Sequence, residues 1–383
     1  MDLVDADKTE ALPPLTALHL DVRQRVRQVA EQVIAPAAAH VDRSGEFPQA
    51  AHDALVSEGL YVPHLPVLYG GENADALTSC LIMEEVAAAC ASASLTPNVT
   101  RLVTLLLLAN GTEQIKQRYL PGCVRGEILA FGLSEPEAGS DPSALRTTAR
   151  RTEDGYVLTG TKRWITNASV ASAHLVFART EPGPVSCFMV HADDPGVRVG
   201  EAEDKLGMRG SPTCALHFDD VRLPGDRLVG EEGRGLPMAL AALEHSRITI
   251  AAQAVGIARA ASAYASDYLR RRRQFDRPLA DFQGLQFMIA DMEMRVAAAR
   301  ELTYAAAVRS QADSSELRFY SAAAKCFAAD IAMQVTTDAV QLLGGAGYTR
   351  AHPVERMMRD AKVTQIYEGS NQIQRLVMAR TLL

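Results

Sequence analysis

Near its C-terminus the chain reads QIYEGSNQIQ, Gln365 to Gln374. One carboxylate, Glu368, stands beside Gly369 among amides, with the hydroxyl of Ser370 close by. A carboxylate acts as a general base when burial lifts its pKa and the proton it takes is acidified. A neighbouring glycine permits close approach of a ligand. The same letters also read as a helix start, with Ser370 as N-cap, helix from Asn371 and Glu368 in solvent. On this stretch alone both readings stand open.

Other residues carry chemistry of the same ambiguous kind. SEPEAGSD, Ser134 to Asp141, follows the apolar run ILAFGL; its small residues and hydroxyls can offer N–H groups to a phosphate or ring, or form an ordinary turn. Trp164, the only tryptophan, lies in KRWITN; its indole suits an aromatic cofactor, with Thr166 in hydrogen-bonding range, or a core or interface. Arg270 to Arg273 end a helical stretch, where they favour the helix C-terminus or grip a phosphate. Arg247, in LEHSRI, reads by default as a surface or ion-paired residue. Neither a Walker loop nor a GxGxxG after a strand is present, and the run Gly344-Gly345-Ala346-Gly347 follows a helical stretch.

The six cysteines and nine histidines are scattered without metal-ligand spacing, so no metal site and no disulfide framework is expected. That usage points to a reducing, cytoplasmic compartment. A net charge of -7 argues against nucleic-acid binding. The acidic N-terminus MDLVDADKTEALPP lacks the pattern of a signal peptide. LVTLLLLAN, Leu102 to Asn110, is too short to insert across a membrane.

The 383 residues, 48% of them apolar, divide by pattern into three domains. Residues 1–127 read as helical, interrupted by a loop at Pro63 to Asn73 and ending in a short amphipathic helix that Pro121-Gly122 should close. Residues 128–236 read as an antiparallel β domain of six to eight strands, with an Asp154-Gly155 turn between two of them. Residues 237–383 read as long helices in a bundle: Leu285, Met288, Ile289, Met292 and Val296 share one helix face.

Seven motifs then appear in one order: RYLPGCVRGE at Arg118, LSEPEAGSD at Leu133, GTKRWITN at Gly160, KLGMRGSPT at Lys205, RRQFDRPLADFQ at Arg272, QLLGGAGY at Gln341 and RDAKVTQIYEGSNQIQ at Arg359. Together they resemble the acyl-CoA dehydrogenases over nearly the whole chain. The resemblance implies an N-terminal helical domain, a middle β-barrel-like domain and a C-terminal four-helix bundle. It also implies non-covalent FAD and a homotetramer. Its implied substrate is an acyl-CoA, oxidised to the trans-2-enoyl-CoA in fatty acid metabolism, with an electron-transferring flavoprotein as acceptor.

The resemblance also assigns roles. Glu368 matches the base that removes the α-proton; some members carry the base where this chain has Ser246. In the family the glutamate N–H and a flavin hydroxyl polarise the thioester carbonyl, and the β-hydrogen leaves as hydride to flavin N5. Flavin contacts fall on Phe131, Leu133, Ser134, Ser140, Trp164, Ile165, Thr166, Ser370 and Gln372. Arg272, Phe275, Gln283, Gln341 and Gly345 match positions that reach the FAD of a neighbouring subunit. Ser140, Glu244, Arg247 and Gly369 fall on the substrate side. Three departures are visible: Glu244 for a frequent aspartate, Glu137 in the EPxAGSD motif, and Ala351-His352-Pro353 in place of an acidic-aromatic pair. An alternative keeps fold and flavin but oxidises an acyl or aminoacyl group on a carrier protein. A purely binding or structural relative is disfavoured by the intact Glu368.

Overall fold

The computed structural model describes residues 15–383 apart from 182 and 313. The N-terminal stretch read above as lacking a signal peptide lies outside them.

Six helices come first: α1 (Ala17–Val29), α2 (Ala35–Ser44), α3 (Gln49–Ser57), α4 (Ala76–Ala89), α5 (Ala91–Asn110) and α6 (Glu113–Val124). Three of their starts, those of α1, α4 and α6, carry side-chain caps. Thr16 and His19 form a reciprocal capping box on α1, Asp75 accepts from Thr78 N on α4, and Thr112 accepts from Ile115 N on α6. Pro121-Gly122 does not close α6, which runs on to Val124. The proline falls in the last turns, where few ladder bonds remain to lose. A Cβ on Gly122 would lie 2.5 Å from the Glu127 carboxylate, which would have to swing aside.

The chain then builds one seven-stranded sheet from β1 (Leu129–Gly132), β2 (Thr148–Arg151), β3 (Gly155–Thr166), β4 (Ala173–Glu181), β5 (Val185–His191), β6 (Val197–Ala202) and β7 (Thr213–Pro224). The number of strands lies within the expected range. The pairing is mixed, because β1 and β2 both run parallel to β4. Only hairpins leave a local mark on the sequence; these crossovers are fixed by distant packing. Its core is a separate apolar cluster that includes Leu158, Val176, Phe188 and Leu216.

Helices return with α7 (Gly235–Arg271), a small hairpin of β8 (Arg273–Gln274) and β9 (Arg277–Pro278), α8 (Gln283–Gln311), α9 (Leu317–Leu343), α10 (Val354–Thr364) and α11 (Asn371–Leu382). The α8 face named above turns inward: Met292 and Val296 are buried, and Leu285, Met288 and Ile289 pack against the core. The middle of α7 is enclosed on every side, and α4 crosses it so closely that a Cβ on Gly256 would lie 2.3 Å from Glu84 O. The long helices α7, α8 and α9 make the bundle, with α10 and α11 laid on α9. Among the described residues no helix is long and apolar enough to cross a membrane.

Candidate active site

α10 ends at Thr364 and α11 begins at Asn371; the six residues between them carry Glu368. The link is closed by Asn371 N donating to Gln365 O at 2.9 Å. Ser370 is indeed the N-cap of α11, accepting from Ile373 N. Capping does not leave Glu368 in solvent. Glu368 and Gly369 adopt consecutive left-handed conformations, φ 57° and 87°. This turn sends the carboxylate back toward α7 and α9, where Oε2 is buried and without a hydrogen-bond partner. A non-glycine residue held there implies that its surroundings over-determine it.

Those surroundings were not foreseen from the sequence. Gln374, fully buried in α11, donates to both Glu368 O (3.0 Å) and Gly369 O (2.8 Å). Lys325, fully buried in α9, donates to Gly369 O (2.8 Å) and Asn371 Oδ1 (3.0 Å). Asn371 Nδ2 donates in turn to Asp330 Oδ1 at 2.8 Å. On the other side the Tyr367 hydroxyl donates to Gln253 Oε1, and Gln253 Nε2 donates to Ser94 Oγ at 2.7 Å, which ties the loop to α7 and α5. A lone lysine in the apolar run AAAKCFAA, residues 322–329, was the available signal.

Electrostatically the site is a half-buried carboxylate, one oxygen fully enclosed, with cations nearby. Burial pushes the Glu368 carboxyl above its usual range; the neighbouring Ser246 hydroxyl and the charges of Arg247 and Lys325 pull against it. Arg247 corrects the surface default: it is buried, and its Nε and Nη1 have no partner. Its neighbour Glu244 is half-buried and 3.6 Å from Arg318. Among the described residues the Glu368 backbone N–H donates to no other group, so it is free to bind a ligand oxygen. Thus an unpaired base, an unpaired guanidinium and a free N–H lie within one turn of chain and the helix beside it.

A second cluster occupies the sheet. Leu133 and Ile165 are buried, while Phe131 packs its half-buried ring on Phe177 at 5.0 Å. Ser134 and Thr166 are half-buried, and Ser140 is exposed. The β3–β7 register slips between Lys162 and Ile165, and Trp164 there has φ 64°. Such a bulge turns the indole outward, 53% exposed, with the Arg163 guanidinium 4.4 Å from its ring centre. Beneath it the buried Lys162 donates to Glu135 Oε1 (2.6 Å) and Leu133 O (3.2 Å). Glu135 also accepts from Arg146 N (2.6 Å) and Thr147 N (3.0 Å), and Arg163 N donates to Ser134 O (2.9 Å). A buried ion pair therefore pins the SEPEAGSD loop to the strand that presents Trp164.

The remaining positions lie on the helical domain. Arg272 caps the end of α7, Phe275 (φ 53°) sits 87% exposed on the β8–β9 turn, and Gln283 opens α8. Gln341 is in the last turn of α9 and Gly345 just beyond it; Gln372 opens α11, and all six of these positions are exposed. Added Cβ atoms at Gly139 and Gly345 would meet nothing within 4 Å. An outturned indole, hydroxyls along the adjoining loop and uncommitted arginine fit a flat ring system bearing phosphates, as in FAD.

Comparison with known proteins covers the whole arrangement. Family models described as the N-terminal, middle and C-terminal domains of acyl-CoA dehydrogenase match residues 16–127, 130–221 and 233–383. The probable acyl-CoA dehydrogenase FadE25 of Mycobacterium tuberculosis is 51% identical over 370 residues, 95% of each chain. Butyryl-CoA dehydrogenase from Megasphaera elsdenii superposes with a TM-score of 0.94 at 39% identity, covering 96% of this chain and 98% of that one. A chain of the electron-transferring flavoprotein structure from Acidaminococcus fermentans gives 0.94 at 40% identity over the same shares.

Proposed function

From the premise that this chain belongs to the acyl-CoA dehydrogenase family, we propose that it removes hydrogen from the α and β carbons of an acyl-CoA thioester, with Glu368 as base. The observation that carries this is the Glu368 carboxylate itself: its Oε2 is buried and unpartnered, with the cations Arg247 and Lys325 close by. Burial raises its affinity for a proton, while the two cations pull the other way and favour the ionised form that can act as base. Taking the α-proton forms an O–H bond at Glu368 and leaves negative charge on the thioester oxygen. The free Glu368 N–H is the donor for that oxygen, and left-handed geometry holds it in place beforehand. FAD, when bound, supplies the acceptor for the β-hydrogen and its electron pair.

Phe131, Leu133, Ser134, Ser140, Trp164, Ile165, Thr166, Ser370 and Gln372 are the residues we assign to FAD. The side chains of Leu133 and Ile165 face the core, so these two serve through their backbone. Arg272, Phe275, Gln283, Gln341 and Gly345 would reach the FAD of a neighbouring subunit. Exposed Phe275, Phe287, Met294 and Tyr348 support association of the helical domains into a homotetramer. An electron-transferring flavoprotein is the proposed acceptor. The six buried, unbridged cysteines support a cytoplasmic setting. We keep the domain division at 127/128 and 236/237.

The test is a panel of acyl-CoA thioesters added anaerobically, watching the flavin absorbance bleach. Bleaching with one chain class supports the proposal and identifies the substrate. A silent panel followed by bleaching with a carrier-bound acyl group would replace it with the carrier-protein reading.

A further inference from the structure

Lys325 is fully buried on α9, and its ammonium reaches only neutral acceptors, Gly369 O at 2.8 Å and Asn371 Oδ1 at 3.0 Å. Among the described residues it forms no direct ion pair with a carboxylate. Burying a lone ammonium costs several kcal/mol unless a compensating charge is near. The charged and titratable groups that face it are few. Asp330 and Cys326 share its helix; Arg247 approaches from α7 and Glu368 from the loop. Asp330 is already engaged by Arg375, Gln365 and Asn371. Cys326 is a thiol whose proton burial holds on, and Arg247 carries the same sign as Lys325. Glu368 is left as the balancing charge.

Resting on the reading of Glu368 as base, we propose that Lys325 is its positioning residue, fixing the Gly369 peptide by hydrogen bond and placing a positive charge beside the carboxylate that favours its ionised form. The two effects come from one atom. Nζ holds the carbonyl one residue beyond Glu368, so loop geometry and charge are set together. Burial brings the lysine down to about 8, with Glu368 opposing, so near neutral pH it carries its proton for most of the time.

Lys325→Met keeps length and removes charge. Without the cation Glu368 holds its proton more tightly, so the acid limb of the kcat/KM profile moves to higher pH, by about one unit or more. Activity then returns toward the wild-type plateau once the pH exceeds the new limb. Lys325→Arg restores the charge and brings the limb back. Lys325→Gln, which retains a donor for Gly369 O, shows the same upward shift and serves if the Met variant fails to fold. An unmoved limb, or an equal loss of rate at every pH, overturns the proposal and leaves a loop tether only. Glu368→Gln is run beside them: if it keeps turnover, the base assignment has failed; if it is inactive while the Lys325 limbs stay in place, only the lysine proposal has failed.

Discussion

The Gln374 side-chain amide donates at 3.0 Å to the carbonyl of Glu368, six residues earlier, and at 2.8 Å to that of Gly369. The first turn of α11 thus carries a residue that reaches back over the helix's own cap. The Ser370 hydroxyl starts the helix, and Gln374 one turn later locks the two left-handed residues before it. Local capping and presentation of the base are parts of one turn, which is why the solvated reading of Glu368 fails even though its cap is correct.

Gly369→Ala tests that turn. At φ 87° an added Cβ would lie 2.7 Å from Gln374 Nε2. The variant must give up the left-handed conformation or the Gln374 bonds, at a cost of about 1–3 kcal/mol. Thermal unfolding should fall modestly. Steady-state kinetics should show kcat dropping more than KM changes, because the base is displaced rather than the binding surface removed. Unchanged kcat would mean that the turn tolerates a different presentation.

Glu368→Gln removes the base while retaining shape. Turnover should fall by about 10²–10⁴-fold or more, with FAD still bound, since the amide cannot accept the α-proton. The checks are flavin absorbance after gel filtration and turnover with the best thioester of the panel. Near wild-type turnover would rule out Glu368 as the base.

Lys162→Met tests the pinning of the cofactor loop. Burial opposes ionisation of Glu135, yet Lys162 and the N–H groups of Arg146 and Thr147 hold its carboxyl below the usual range. Removing one partner of such a buried pair destabilises by about 3–5 kcal/mol. A lower melting temperature and faster loss of flavin on dialysis are both expected. A melting temperature within error of wild type would show the pair to be dispensable.

Much of this was legible and some was not, for identifiable reasons. Period-3.6 spacing marked α8 because it records which side is buried, and Ser370 was visible as a cap because capping is local. The β2–β3 turn was marked by Asp154-Gly155. The parallel pairings to β4 were not, because crossovers leave no mark on adjacent letters. Trp164 could be named from its motif, but not the bulge that turns it outward. Lys162, Lys325 and Gln374 were missed as site residues: a buried polar residue and a surface one have the same letter. Arg247 was misplaced by default for the same reason.

Arg272→Ala addresses the proposed reach between subunits. The residue is exposed at the end of α7 and its backbone N–H already donates to Tyr268 O at 2.9 Å, so substitution should leave the helix intact. A charged hydrogen bond to a phosphate is worth about 1.5–3 kcal/mol, or roughly ten- to hundred-fold in FAD affinity. Fluorescence titration of the apoprotein with FAD should register that loss. Unchanged affinity would remove Arg272 from the cofactor site.

Asp360→Asn gives a prediction about stability rather than activity. Asp360 is buried at the start of the RDAK motif, and its Oδ1 accepts from Met208 N at 2.5 Å, joining α10 to the segment between β6 and β7. Burial, with the charge of Asp42, pushes its pKa up from 3.8 to about 6, against the Met208 N–H, Arg356 and Arg359. A group raised in the folded state contributes stability that is complete below its unfolded pKa and lost as pH rises through the folded one. By neutral pH Asp360 is ionised, and the lost contribution is about 3 kcal/mol at most for a shift of about two units. Asparagine presents the same acceptor to Met208 N and does not ionise. The variant should therefore gain melting temperature relative to wild type as pH is raised from about 4 to about 8. Parallel thermal melts of both proteins across that range provide the check. A difference that stays constant with pH would show that Asp360 does not titrate between these limits.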